Sequence, residues 1–292
     1  MYELTYVTQV IFSGITSGAV YTLVALSLVL VYNVTKNLNF AQGEFSVLGI
    51  LVVLSTVRAG LSLWAGVLLA VAVVAIVAFL QERLVMEPLG GAADAVKLVG
   101  TLAVVFLMQS FFMNLWGKEA YTLPHFSSRQ VLELSGATLP VQSLWVMGTG
   151  VAVIILIYLF LNVTVYGKAL RACSENKMAS MLVGIDVEAM TRLTYALSGV
   201  MGAIGGIVFA PLVMVNFGTG LMFTLKGFMA AILGGLGDIR GAIVGGVLLG
   251  LVEAFSAGYI SAHFADSISL GLLLIFLVFR PTGVLGGKIS ES

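Results

Sequence analysis

Charge is scarce in this chain. Only 10% of its 292 residues are Asp, Glu, Lys or Arg, against roughly 25% in a soluble domain. So few charges cannot cover a water-facing surface. Formal net charge is +0, which leaves no basic field for nucleic acid and excludes it as a partner. The one cysteine, Cys173, excludes an internal disulfide and a cysteine-based metal cluster. The two histidines, His125 and His263, have no ligand-spaced partners, so no metal site is expected. Met1-Tyr2-Glu3-Leu4 lacks the positive region of a cleavable signal peptide, so the first span is expected to stay in the mature protein. No nucleophile–base pair is readable, so no catalytic residue is expected.

Apolar residues are abundant: 60% of the chain, with a mean hydropathy of +1.09. The solvent that suits them is a lipid membrane, where each helical span takes about 20 apolar residues. The 34 glycines fit this, because small residues let membrane helices approach closely. Spans are expected near Gln9–Tyr32, Glu44–Val57, Leu63–Gln81, Val99–Trp116, Gln142–Val165, Leu193–Val215, Met222–Leu236, Ala242–Ala262 and Ser267–Phe279. Glu44–Val57 and Met222–Leu236 are too short for a full crossing and are candidates for broken or re-entrant helices. The expected fold class is all-α, a polytopic transmembrane helical bundle of about eight or nine spans. It forms a single transmembrane domain over residues 1–292.

Loop charges set the orientation. With the N-terminus outside and the C-terminus cytoplasmic, the inner loops hold Lys36, Arg83, Lys97, Lys168, Arg171, Lys177, Arg192, Arg240, Arg280 and Lys288. The outer loops then hold only Arg58, Lys118, Arg129 and Lys226, as the positive-inside rule demands. Trp64, Trp116 and Trp145 fall near span ends, where interfacial anchors belong. Two stretches, one after the first span and one after the sixth, each pass through an Asn-Phe pair (Asn39-Phe40 and Asn216-Phe217) into glycines and a short apolar segment. Their opposite orientation is the pattern of a possible inverted repeat.

Three segments have polar content worth weighing. In Asn39-Phe40-Ala41-Gln42-Gly43-Glu44, a polar cluster opens an apolar helix. It reads either as a helix start with Asn39 as N-cap or as a functional group at membrane depth. In LGGLGDIRGAIVGG (residues 233–246), Gly237, Gly241 and Gly245 recur at small-xxx-small spacing and suit a packing face in a tight turn. No phosphate-loop pattern G-x-x-x-x-G-K-[ST] is present. The segment Tyr166–Arg192 is basic and polar, with Ala169, Ala172, Asn176, Ala179 and Val183 at helical spacing. Gly184 is a helix stop there and Asp186 a cap for the next helix. It reads either as a solvated loop or as a short helix across the cytoplasmic mouth. Glu253 is the one clear mid-span charge.

At these segments the chain resembles the permease subunits of ATP-binding-cassette importers of the branched-chain amino acid class, specifically the smaller, LivH-like subunit. The strings GAVYTLVALSLVLVYNVTKNLNFAQGEFSVLG, RACSENKMASMLVGIDVEAMTRLTYALSGVMGAIGGIVFAP and GFMAAILGGLGDIRGAIVGGVLLGLVEAF carry the match in order. The family has His where Gln42 stands, and more often a Gly-rich turn around Lys36. The resemblance implies a transport subunit, not an enzyme, in the bacterial inner membrane. It has no cofactor of its own, ATP being bound by two partner cytoplasmic ATPase subunits. A second related permease and a periplasmic substrate-binding protein complete the assembly. The family's coupling helix maps onto residues 166–192, around Arg171, Ala172, Glu175, Asn176, Ala179 and Gly184. Asn39, Gln42, Glu44, Asn216 and Thr219 are the candidates along the substrate pathway. The alternatives are a urea or short-amide importer of the same architecture and an ion-coupled secondary transporter. The latter expects buried cation–carboxylate pairs within the spans.

Overall fold

The computed structural model describes residues 2–127, 131–134 and 137–285. In chain order the helices are α1 (Tyr2–Thr35), α2 (Gln42–Arg58), α3 (Leu63–Gln81), α4 (Asp94–Trp116), α5 (Val141–Val163), α6 (Val165–Glu175), α7 (Lys177–Leu182), α8 (Val187–Phe209), α9 (Thr219–Gly234), α10 (Ile239–Tyr259) and α11 (Ala265–Phe279). A π-helical turn, Glu82–Met86, continues α3. Among the described residues the bundle is all-α apart from one antiparallel strand pair, Val131–Leu134 with Ala137–Pro140, which the sequence did not lead us to expect.

Among the described residues, six helices are long and apolar enough to cross a membrane: Thr5–Thr35, Leu63–Met86, Asp94–Trp116, Val141–Val163, Val187–Phe209 and Ile239–Tyr259. Helices α2, α9 and α11 have 17, 16 and 15 residues. At 1.5 Å per residue they rise only about 22–25 Å, short of a hydrocarbon core of about 30 Å. The expected short pair, α2 and α9, is therefore joined by a third, α11. Helix α8 runs Val187–Phe209 rather than Leu193–Val215. It starts early because the Asp186 carboxylate accepts from Ala189 N at 2.9 Å. It ends at Phe209: Ala210 still has helical angles (φ −56°, ψ −28°), but Pro211 has no N–H to continue the ladder.

Close approach of small residues sets the packing. A Cβ on Gly250 would strike the backbone of Gly14 and Gly18, fixing α10 against α1. Gly241 and Gly245 press on Gly234 and Ala230 in the same way and form the expected packing face between α10 and α9. Gly237 is not part of it: it precedes α10 in the turn, at φ 98°. One apolar core joins α1, α5, α8, α9, α10 and α11 through Leu26, Val29, Ile157, Met201, Ala231 and Leu249, among others. A second joins α2, α3, α4 and α8 through Phe45, Ile50, Val74, Met108 and Ile207. Leu68, Ile76, Leu107, Leu156 and Val278 point outward and are exposed, an apolar periphery suited to lipid.

The two ends of the bundle differ. At one end Asn33 donates to Gly237 O at 2.9 Å and Arg192 donates to Glu87 at 2.9 Å. Helices α6 and α7 lie there, with Lys36, Arg83, Lys97, Lys168, Arg171, Lys177, Arg192, Arg240 and Arg280. At the other end Trp116 donates to Ser55 at 2.7 Å and the Trp64 and Trp145 rings lie 5.9 Å apart. Arg58 and Lys118 are the cations there among the described residues. Arg129 and Lys288 lie outside the described residues. Lys226 is not in a loop: it sits within α9.

Candidate functional site

The chain leaves α1 at Thr35, turns through Lys36 at φ 59°, and returns into the bundle before α2 begins. Asn39, Gln42 and Glu44 all follow this bend and are fully buried. Asn39 is not the expected N-cap. The cap position is Ala41, with no side-chain bond, because the Asn39 amide faces α3 instead. Its Oδ1 accepts from Gln81 Nε2 at 2.9 Å and from Ala41 N at 3.1 Å, and its Nδ2 donates back to Gln81 Oε1 at 3.5 Å. Gln42 is bound to α8: Nε2 donates to Ser198 O at 2.8 Å, and Oε1 accepts from Ser198 Oγ at 3.2 Å. Gly43 N donates to Thr224 Oγ1 of α9 at 2.8 Å, and that hydroxyl lies 3.0 Å from Phe40 O, to which it donates.

Glu44 is different. Its Oε1 accepts from Gln109 Nε2 of α4 at 2.9 Å, while Oε2 is buried with no hydrogen-bond partner. Its carboxylate abuts the start of α9, since a Cβ on Gly220 would fall 2.5 Å from it. Three of the sequence candidates are thus gathered where α2, α3, α4, α8 and α9 meet. Their partners Gln81, Gln109, Ser198 and Thr224 were not singled out from the sequence. Gln81 and Gln109 had a usable signal, as lone amides inside long apolar runs. Ser198 and Thr224 had none.

The other two candidates lie apart. Asn216 is exposed and Thr219 half-buried. Asn216 Oδ1 accepts from Gly218 N at 2.9 Å and from the Thr219 hydroxyl at 3.1 Å, and Asn216 N donates to Thr219 Oγ1 at 2.9 Å. The bend closes on itself and is tied to Tyr121 by a backbone bridge at Val215.

Glu253 is not a lone charge. Its carboxylate lies 2.7 Å from Lys226 Nζ, which also meets Asp266 of α11 at 2.5 Å. The Tyr21 ring centroid stands 5.3 Å from the same ammonium. One cation between two carboxylates ties α9, α10 and α11 together, so within-span ion pairing is richer than the composition implied.

The segment 166–192 folds as two short helices rather than one. Thr164 caps α6 by accepting from Gly167 N at 3.0 Å. Gly167, Leu170 and Cys173 are the buried face of α6. Asn176 breaks the helix with an extended backbone and caps α7, its Oδ1 accepting from Ala179 N at 3.0 Å. Gly184 stops α7 at φ 85°, and Asp186 caps α8, both as expected. Arg171 is anchored to Asn162 at 3.0 Å. Ala172 is half-buried, whereas Glu175, Asn176, Ala179 and Gly184 are exposed. Around them Met178, Met181, Leu182 and Val183 form an apolar knob that the sequence pattern did not reveal. Leu182 is 82% and Val183 76% exposed, beyond what an unpartnered polar loop presents.

A family model described as branched-chain amino acid transport system / permease component matches residues 10–279. The chain is 28% identical to the high-affinity branched-chain amino acid transport system permease protein LivH of Salmonella typhimurium, over 99% of both chains. It is 29% identical to LivH of Escherichia coli K12 over the same shares. It is 27% identical to the corresponding permease protein BraD of Pseudomonas aeruginosa, over 100% of both chains.

Proposed function

We propose, from the premise that the chain belongs to the family of permease components of branched-chain amino acid transport systems, that it is the membrane subunit of an ATP-driven importer for branched-chain or related amino acids. The observation that carries this reading is the α6–α7 element, a rigid polar-and-apolar projection at the cation-rich end of the bundle. That end is cytoplasmic on the positive-inside rule. The N-terminus then lies outside, and α2, α9 and α11, each shorter than a full crossing, alternate with the six long helices to make eight or nine passes. The opposed runs α1–α2 and α8–α9, each broken by an Asn-Phe bend, act as inverted halves.

The division of labour follows from chemistry. The chain has no phosphate-binding loop, so ATP is bound and hydrolysed by two cytoplasmic ATPase subunits. The knob of Met178, Met181, Leu182 and Val183, rimmed by Glu175, Asn176, Ala179 and Gly184, seats in one of them. Arg171 and Ala172 fix the element to the bundle, so closure of the ATPase pair moves α5 and α8 as a lever. A second related permease completes the pathway, and a periplasmic binding protein delivers substrate to the opposite face. Along that pathway Asn39 and Gln42 hold the first bend, Glu44 with Gln109 supplies a polar group at membrane depth, and Asn216 and Thr219 shape the outer bend.

The test is reconstitution with the ATPase subunits, the second permease and the binding protein. Uptake of labelled leucine is expected, suppressed by excess isoleucine and unaffected by urea. Uptake by the chain alone, without ATPase subunits, would overturn the reading. Glu175→Ala with Ala179→Arg is expected to lower uptake at least tenfold while ATP hydrolysis and membrane insertion persist. Unchanged transport in that double variant would remove α7 from the coupling path.

A further inference from the structure

The turn between α7 and α8 is tight. Gly184 N donates to Met181 O and Ile185 N to Ser180 O, each at 3.0 Å, so a push on α7 reaches the start of α8. That start carries Glu188 and Arg192, four residues apart and so on one face of the helix. Ile185, Val187 and Met190 pack on the core that joins α1 and α5. The charged face meets the π-helical turn after α3. There one guanidinium serves three carboxylates. Its Nε donates to Glu87 at 2.9 Å and lies 3.7 Å from Glu82, and its Nη2 donates to Glu188 at 3.2 Å.

The π turn explains how two carboxylates of one helix reach the same cation. In an α-helix, residues five apart stand about 0.4 of a turn out of line. Here Glu87 N donates to Glu82 O at 2.8 Å, and the wider turn brings both side chains to the α8 side. Such turns are frequent at functional sites. The residue just before it is Gln81, whose amide holds Asn39 at 2.9 Å in the bend between α1 and α2. Further along α8, Tyr195 packs with Met86 of the π turn and Val31 of α1. Deeper in the bundle α8 and α3 press together, since a Cβ on Gly199 would lie 2.7 Å from Ala78 Cβ. At the cation-rich end, Arg192 is the ion-paired tie between the two helices among the described residues.

We propose that Arg192 is a positioning residue for transport: it joins the start of α8 to α3, so that movement of the α6–α7 element is delivered to the bend between α1 and α2 and not lost at the tip of α8. The inference rests on the permease reading above, which seats α7 in an ATPase subunit. The charge count gives the direction of the effect. Without the cation, Glu82, Glu87 and Glu188 repel one another and the two helix ends part. A lysine keeps the charge but has no planar fork to hold Glu87 and Glu188 together.

The experiment uses the complex with its ATPase subunits and second permease, reconstituted in vesicles with the binding protein. ATP-driven uptake of labelled leucine and ATP hydrolysis are measured on the same vesicles. Arg192→Glu is expected to lower the uptake per ATP hydrolysed about fivefold, with hydrolysis itself close to wild type. Adding Glu87→Arg is expected to recover at least half of that loss, because the pair returns with its signs exchanged. Arg192→Lys is expected to lower the ratio about twofold and serves if Arg192→Glu fails to assemble. Uptake and hydrolysis that stay at wild type, or that fall in step, mean a structural tie only and overturn this inference alone. A lowered ratio with no recovery on adding Glu87→Arg also overturns it, because the loss then does not run through the π turn. Absence of leucine uptake in the wild type overturns it together with the permease reading.

Discussion

The two bends with an Asn-Phe pair look alike in sequence and are built in opposite ways. Between α1 and α2, Asn39 is buried and exchanges hydrogen bonds with Gln81 of α3, while Gln42 and Gly43 reach α8 and α9. Between α8 and α9, Asn216 is exposed and, among the described residues, bonds within its own turn. Irregular backbone away from water must find its partners in protein. The first bend lies deep in the bundle and draws on three neighbouring helices. The second lies nearer the end with the strand pair, where Tyr121 holds the backbone and solvent serves the rest. This contrast leads us to expect a fixed pivot in the first bend and a shift in the second.

The largest effect is expected where the pivot meets α9. A Cβ on Gly43 would lie 1.9 Å from Gly220 O, a backbone atom that no rotamer change can move. Gly43→Val is expected to abolish assembled protein, read as loss of the monodisperse peak and at least a tenfold fall in yield. Gly218→Ala in the second bend meets nothing nearer than Asn216 Oδ1 at 3.6 Å and is expected to assemble as wild type. Equal yields for the two variants would erase the contrast between the bends.

Next comes the amide pair. Asn39→Leu leaves the Gln81 amide buried and alone, a cost of about 1–3 kcal/mol. Replacing both, Asn39→Leu with Gln81→Leu, removes the orphan as well, so much of the loss in thermal midpoint is expected to return. A double variant as unstable as the sum of the singles would show that the two amides do not act as a unit. Gln42→Leu is expected to cost less than Asn39→Leu. Ser198 Oγ has a second acceptor in Tyr195 O at 3.0 Å, and measured hydrogen bonds between membrane helices average about 0.6 kcal/mol. A midpoint lower than that of Asn39→Leu would reverse this ranking.

Much of this architecture was legible from hydropathy and punctuation. Span cores, the short α2 and α9, the Gly184 stop and the Asp186 cap all follow from local chemistry. What was not legible was local in sequence but decided by distant contacts. Asn39 has the composition of an N-cap, yet Gln81, 42 residues away, takes its amide. Lys226 counts as a loop cation until Glu253 and Asp266 are seen beside it. The apolar knob at α7 escaped because nothing in the sequence says which way Met178, Leu182 and Val183 point, and only the fold shows them exposed. Within the pathway candidates, Glu44 and Asn216 carried equal sequence weight. Burial and hydrogen bonding separate them.

The smallest effect on stability is expected at Asn216, and there the comparison is sharpest. Asn216→Ala removes the side-chain acceptor for Gly218 N and the Thr219 hydroxyl, but both residues are only half-buried, and a typical intramolecular hydrogen bond contributes a net of about 0.5–1.5 kcal/mol. Its backbone N–H keeps the Thr219 hydroxyl as acceptor, and the Tyr121 bridge is untouched. The thermal midpoint is therefore expected to move less than for any variant of the first bend. Transport is a separate readout. If the second bend shifts during each cycle, loosening it alters the uptake rate at an unchanged midpoint, whereas a purely structural cap changes neither. A midpoint drop as large as that of Asn39→Leu would mean that the outer bend is as firmly built as the inner one, and the assignment of one as pivot and the other as moving part would fail.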